Sequence, residues 1–107
     1  MISLGKNTRP RVTVHNIVSP GHVKQVDGIK YEAMRQAVLN VLPSKKPGLT
    51  YSEMSAKVLT HLPEAEFPGG AKAGWWLKCT QLDLEWQRVI ERDTASKPLR
   101  WYQLKSR

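Results

Sequence analysis

Few side chains in this chain have the types to do chemistry, and their spacing decides which can. There are three histidines, His15, His22 and His61, and one cysteine, Cys79. A zinc site needs its ligands at short, fixed intervals. No histidine stands at such an interval from another or from Cys79, so no metal is expected. Cys79 falls on an apolar stripe of a helical stretch and reads as a small buried hydrophobe. As a nucleophile it would need a neighbouring base, and the sequence indicates none. Asp83 and Glu85 are two residues apart on a helix, so they face different ways and do not form a carboxylate pair. Pro68 to Gly74, PGGAKAG, lacks the G-x-x-x-x-G-K-[ST] spacing of a phosphate loop. It reads as a turn opening a helix, whose free N–H groups beside Lys72 can hold one phosphate. No catalytic residue, cofactor or metal is assigned, and the chain is read as a non-enzyme.

The remaining chemistry is charge. Lys and Arg number 17 against 9 Asp and Glu, a net charge of +8. Residues 1–30 hold five basic and one acidic residue, 31–66 hold four of each, and 67–107 hold eight and four. The excess therefore lies on the two ends of the sequence. A polyanion is the natural partner, with double-stranded DNA first; simple solubility is the bland alternative. At 107 residues, with 40% hydrophobic and 24% charged, the composition is that of one ordinary globular domain. No apolar run approaches the roughly 20 residues that cross a bilayer. The opening MISLGKNTRPR lacks the apolar core of a signal peptide, so export is not expected. A lone cysteine cannot form an internal disulfide and fits a reducing cytoplasm.

The elements that must position these residues follow from periodicity. Residues 1–18 read as a basic arm and a short strand, with Val12, Val14 and Val18 alternating; residues 19–107 read as the domain proper. Ser19-Pro20-Gly21 marks a turn, and Val23 to Val26 a second short strand. Asp27 can cap a helix over 28–42, whose apolar stripe is Tyr31, Met34, Val38, Val41 and Leu42. Thr50 and Glu53 form a capping box for a second helix, with Leu49 and Met54 as its hydrophobic staple. Met54, Val58 and Leu62 make its buried stripe, and Pro63 stops it. The loop 63–70 is long for the turn of a helix-turn-helix.

A third helix is expected over 71–87 with two apolar stripes. One is Trp75, Cys79, Leu82 and Trp86; the other is Ala73, Trp76, Leu77, Thr80 and Leu84. Lys78, Gln81, Glu85 and Arg88 form a narrow polar strip, read as solvated. The tryptophans are expected to pack in the core. A hairpin follows, 89–92 and 99–104, around the turn formers of 93–98. The fold class is α+β: three helices plus a C-terminal β-hairpin, with a short N-terminal strand or arm.

The segment QLDLEWQRVIERD…KPLRWYQL resembles the junction between the third helix and the wing of winged-helix proteins. Trp75-Trp76-Leu77-Lys78 and Gln81-Leu82-Asp83-Leu84-Glu85, with FPGGAKAG upstream, resemble a family of short bacterial proteins of unknown function. The similarity spans roughly residues 20 to 104 and implies a winged-helix-like domain without an established activity. Winged helices usually place Gly where Arg88 stands, in a left-handed conformation; Arg88 must adopt it at some cost, or the helix ends differently.

In a winged helix the third helix enters the major groove and the wing touches the backbone. The resemblance therefore points to a DNA-binding, transcription-regulator-like module. Lys72, Trp75 and Lys78 would act from the helix, Arg92, Lys97 and Arg100 from the hairpin, and Lys45 and Lys46 would add phosphate contacts. Base-reading chemistry is thin, because the polar strip offers Gln81 and Arg88 beside Glu85. The alternative is a protein-interaction module that dimerises through aromatic surface, since four tryptophans are many for this length. A third reading is a small-ligand sensor using the space around the tryptophans.

Overall fold

Alternating valines make the first strand among the described residues. A computed structural model describes residues 9–104; most of the expected arm, with Lys105 and Arg107, lies outside them. β1 (Arg11–Val14) pairs antiparallel with β2 (Lys24–Asp27), with Arg11 opposite Asp27 and Val14 opposite Lys24. Val14 and Val26 enter the core. The alternation predicted a strand reaching Val18, but Val18 is exposed. Asn16 Oδ1 accepts the N–H groups of Val18 and Ser19, and this side-chain bond turns the chain out of the ladder.

Asp27 caps α1 (Gly28–Val41) by accepting from the N–H groups of Ile29 and Lys30. It also takes the Arg9 guanidinium, which in turn bonds Glu66. The Arg9 bond, with help from the two helix N–H groups, holds the Asp27 carboxyl down at about 2. Tyr31, Met34, Val38 and Leu42 form the buried stripe, and Val41 is only partly covered. The backbone turns extended at Leu42, as a residue before proline must.

The capping box works as expected: Glu53 N–H donates to Thr50 Oγ1, and Thr50 N–H donates to Glu53 Oε1. It opens α2 (Tyr51–Val58), which continues as one 3₁₀ turn, Leu59–His61. Just before it, Leu49–Thr50 forms β3, a strand the sequence reading did not contain. α3 (Ala73–Trp86) leads into the hairpin of β4 (Ile90–Asp93) and β5 (Arg100–Gln103). β3 adds to this hairpin, giving the sheet order β3-β5-β4, all antiparallel. The helix-to-hairpin step uses Arg88 at φ 65°, the left-handed position flagged above.

The protein is therefore α+β: three helices, two small antiparallel sheets, a C-terminal hairpin and an N-terminal strand. Its core gathers Met34, Val38, Met54, Val58, Phe67, Leu77, Leu84 and Ile90, each at most 1% exposed. Burying such a side chain contributes roughly 1.5–3 kcal/mol.

Two expectations for α3 are overturned. Its polar strip is only half solvated: Lys78 and Arg88 are exposed, but Gln81 is fully buried and Glu85 is 6% exposed. Two of its tryptophans are not core, since Trp75 is 50% and Trp86 is 41% exposed, whereas Trp76 is buried. The β4–β5 hairpin packs over the polar strip and supplies it with donors. The Trp75–Trp86 stripe is left facing outward, beneath the connection between β1 and β2.

Candidate functional site

α3 carries two buried carboxylates that fix its surroundings. Glu85 receives Arg92 through two bonds, Nε to Oε1 at 2.7 Å and Nη2 to Oε2 at 3.0 Å. It also accepts from Trp101 Nε1 at 2.9 Å and from the Gln81 amide. The Arg92 guanidinium lies 5.6 Å from the Trp101 ring centroid, and its bond to Glu85 pushes its proton affinity up. Asp83 accepts the backbone N–H of His15 at 2.8 Å, the Tyr31 hydroxyl at 2.6 Å and the Gln87 amide. Burial, reinforced by Asp83, keeps the Tyr31 hydroxyl protonated far above its ordinary range. The His15 ring stacks on Trp86 at 3.6 Å and 5°.

Around this frame the residues named for DNA contact lie at five places. Lys78 and Arg100 flank the start of α2. Lys78 Nζ sits 4.5 Å from the Tyr51 ring centroid, and Arg100 Nη1 donates to Gly48 O at 2.9 Å and contacts Glu53 Oε1 at 3.3 Å. Lys45 and Lys46 are exposed in the loop leading to Gly48. Lys97 is exposed in the turn of the β4–β5 hairpin. Lys72 and Trp75 stand at the start of α3, where Lys72 is left-handed (φ 61°) and no side chain caps the helix. Arg92 is turned inward onto Glu85, and Arg100 is held by its internal partners. Among the described residues, Lys45, Lys46, Lys72, Lys78 and Lys97 form no ion pair.

Beside Trp75 the structure opens a cleft of ≈530 Å³. His15, His22 and Lys24 line one wall, from β2 and the connection before it; Trp75, Cys79 and Leu82 line the other, from α3. Lys24 Nζ is 4.8 Å from the Trp75 ring centroid. The sequence reading did not single out Lys24. It sits at a strand end like any solvated lysine, and only the docking of the hairpin on α3 brings it to an indole. Burial pushes the Cys79 thiol up, so it is a poor nucleophile there. Among the described residues, no three His, Cys, Asp or Glu side chains gather as a metal site. Nor is any described helix long and apolar enough to cross a membrane.

A protein-family model described as a family of unknown function (DUF6958) matches residues 11–101. The chain belongs to DUF6958. The matched span opens at the first residue of β1 and closes at Trp101, the β5 residue that donates to Glu85. Both carboxylate anchors and the cleft of this DUF6958 chain therefore lie within it. No curated protein and no solved structure matches the chain.

Proposed function

We propose that this chain is a winged-helix-like, non-catalytic module that binds double-stranded DNA, chiefly through phosphates. The element order supports the winged-helix reading: helix, short strand, helix, helix, hairpin, with the short strand added to the hairpin. The observation that carries the DNA reading is the division of charge. Glu53, Glu66, Asp83 and Glu85 are engaged by partners inside the fold, while Lys45, Lys46, Lys72, Lys78 and Lys97 are among the lysines that stand without acidic partners among the described residues. A cationic surface is left over, with the uncapped start of α3 beside Lys72. Base readout is weak on this reading, because Gln81 and Glu85 are buried.

The test is fluorescence anisotropy of a random-sequence duplex at several salt concentrations. Five phosphate contacts give a log–log salt slope of about −4 to −5. Replacing Lys45, Lys46, Lys72, Lys78 and Lys97 with Ala should abolish binding and leave the fold intact. No binding at low salt, or an unchanged slope in that variant, rejects the reading.

One observation favours a second reading, self-association. Trp75 and Trp86 are about half exposed, and Ile17, Val18 and Val23 of the facing connection are exposed too. Light scattering that reports a monomer at high concentration would sink it.

A further inference from the structure

Apart from Lys78, which lines it, the lysines proposed for duplex binding lie outside the cleft between the β1–β2 hairpin and α3. Its volume of ≈530 Å³ lies in the small-molecule range of about 300–1,000 Å³. The cleft is held open by the frame. The His15 N–H bond to Asp83 and the His15 ring on Trp86 pin the end of β1 to α3. A pre-formed wall lowers the ordering cost of binding.

The lining has one charge character. No described Asp or Glu contributes to it. Asp83, on the same helix, is buried and turned to His15, Tyr31 and Gln87. Of the two lysines in the lining, Lys78 directs its ammonium at the Tyr51 ring and Gln81 Oε1. Lys24 directs its own at Trp75. The cleft thus offers one ammonium beside one indole. Trp75 is held edge-to-face against Trp76, with ring centroids 5.1 Å apart at 79°, and remains half exposed. Cys79 and Leu82 extend the apolar wall.

We infer that this cleft binds a small planar aromatic carboxylate, its ring against Trp75 and its carboxylate on the Lys24 ammonium. A single cation matches a monoanion rather than a di- or triphosphate. The ammonium moves from an exposed cation–π contact to a charge-assisted hydrogen bond, which is the stronger of the two. The ligand ring takes its place on the indole, where offset stacking is favourable. This site is independent of the duplex reading, and failure of duplex binding leaves it standing.

The experiment is a titration of the whole chain with sodium 2-naphthoate, followed by tryptophan fluorescence and by amide NMR shifts. Saturable binding is expected, with the largest shifts at Lys24, Trp75 and Cys79. The neutral isostere 2-naphthamide should bind about tenfold more weakly, the loss of one charged contact. Lys24→Met should weaken naphthoate about tenfold and leave the amide unchanged. Leu82→Trp should block both by filling the space; if that variant does not fold, Lys24→Met decides alone. Equal affinity for acid and amide, no effect of Lys24→Met, shifts confined to another surface, or no saturable binding would each overturn the inference.

Discussion

The β1–β2 hairpin hangs on Asp83 and the β4–β5 hairpin hangs on Glu85, and the two attachments differ in kind. Asp83 accepts from a backbone N–H, a tyrosine hydroxyl and an amide. Glu85 accepts from a guanidinium that also covers Trp101. They differ in reach as well. Arg92 and Trp101 are 7 and 16 residues from Glu85, whereas Tyr31 and His15 are 52 and 68 residues from Asp83. Closing the short loops costs less entropy. The C-terminal hairpin is thus an extension of α3, bound by charge. The N-terminal hairpin is a separate piece docked on the same helix through the His15 N–H on Asp83 and the His15 ring on Trp86, and the cleft lies under the docked piece.

The strongest way to break this contrast is Glu85→Ala. It leaves the Arg92 guanidinium and the Trp101 N–H without their acceptor, a loss of about 3–5 kcal/mol for a broken buried pair. Urea unfolding should show a cooperative loss of that size; a loss below about 1 kcal/mol would remove the special standing of Glu85. Asp83→Ala should cost less, about 2–3 kcal/mol, because a backbone N–H, a hydroxyl and an amide are stranded rather than a guanidinium. Its sharper readout is hydrogen exchange. Amides over 11–27 should lose protection while those over 90–103 keep it, and equal loss in both would merge the two attachments into one.

Asp27 tests the far side of the docked hairpin, where it ties Arg9 to the start of α1. Its carboxyl is held down at about 2, below the ordinary value near 4. A depressed carboxylate stabilises fully above about pH 4, and that contribution is lost as pH falls through about 2. Asp27→Asn keeps a capping side chain, so it should lower Tm by roughly 2–4 °C at pH 7, a surface-pair effect. The gap between variant and wild type should close near pH 2; a constant gap would assign the effect to packing. The smallest effect belongs to the exposed lysines. Replacing Lys45, Lys46 and Lys97 with Ala should change stability by no more than about 0.5 kcal/mol per site while lowering duplex affinity.

What the sequence made legible was local. The Thr50–Glu53 box and the Asp27 cap are written within four residues, and both form as read. A left-handed Arg88 was one of the two outcomes that the winged-helix resemblance left open, and it is the one found. The misses are tertiary. Gln81 and Glu85 look like a solvated strip until Arg92 and Trp101 are known to fold back over them. Trp75 and Trp86 look like core until the β1–β2 connection is seen to cover them only in part. β3 is two residues long, with no periodicity to detect, and exists because β5 lies beside it. Of the candidate contact residues, the exposed lysines were readable as lysines; that Arg92 turns inward was not.

Gly48 has a consequence of its own. Its backbone sits at φ 86°, and a Cβ there would lie 1.9 Å from the Trp101 carbonyl oxygen. Flanking Lys45, Lys46 and Pro47 are exposed. In a saturation-mutagenesis map this loop should read as freely tolerant except for one column in which every replacement fails. That column would report the crossing of the β3 approach over β5 without any structure being consulted.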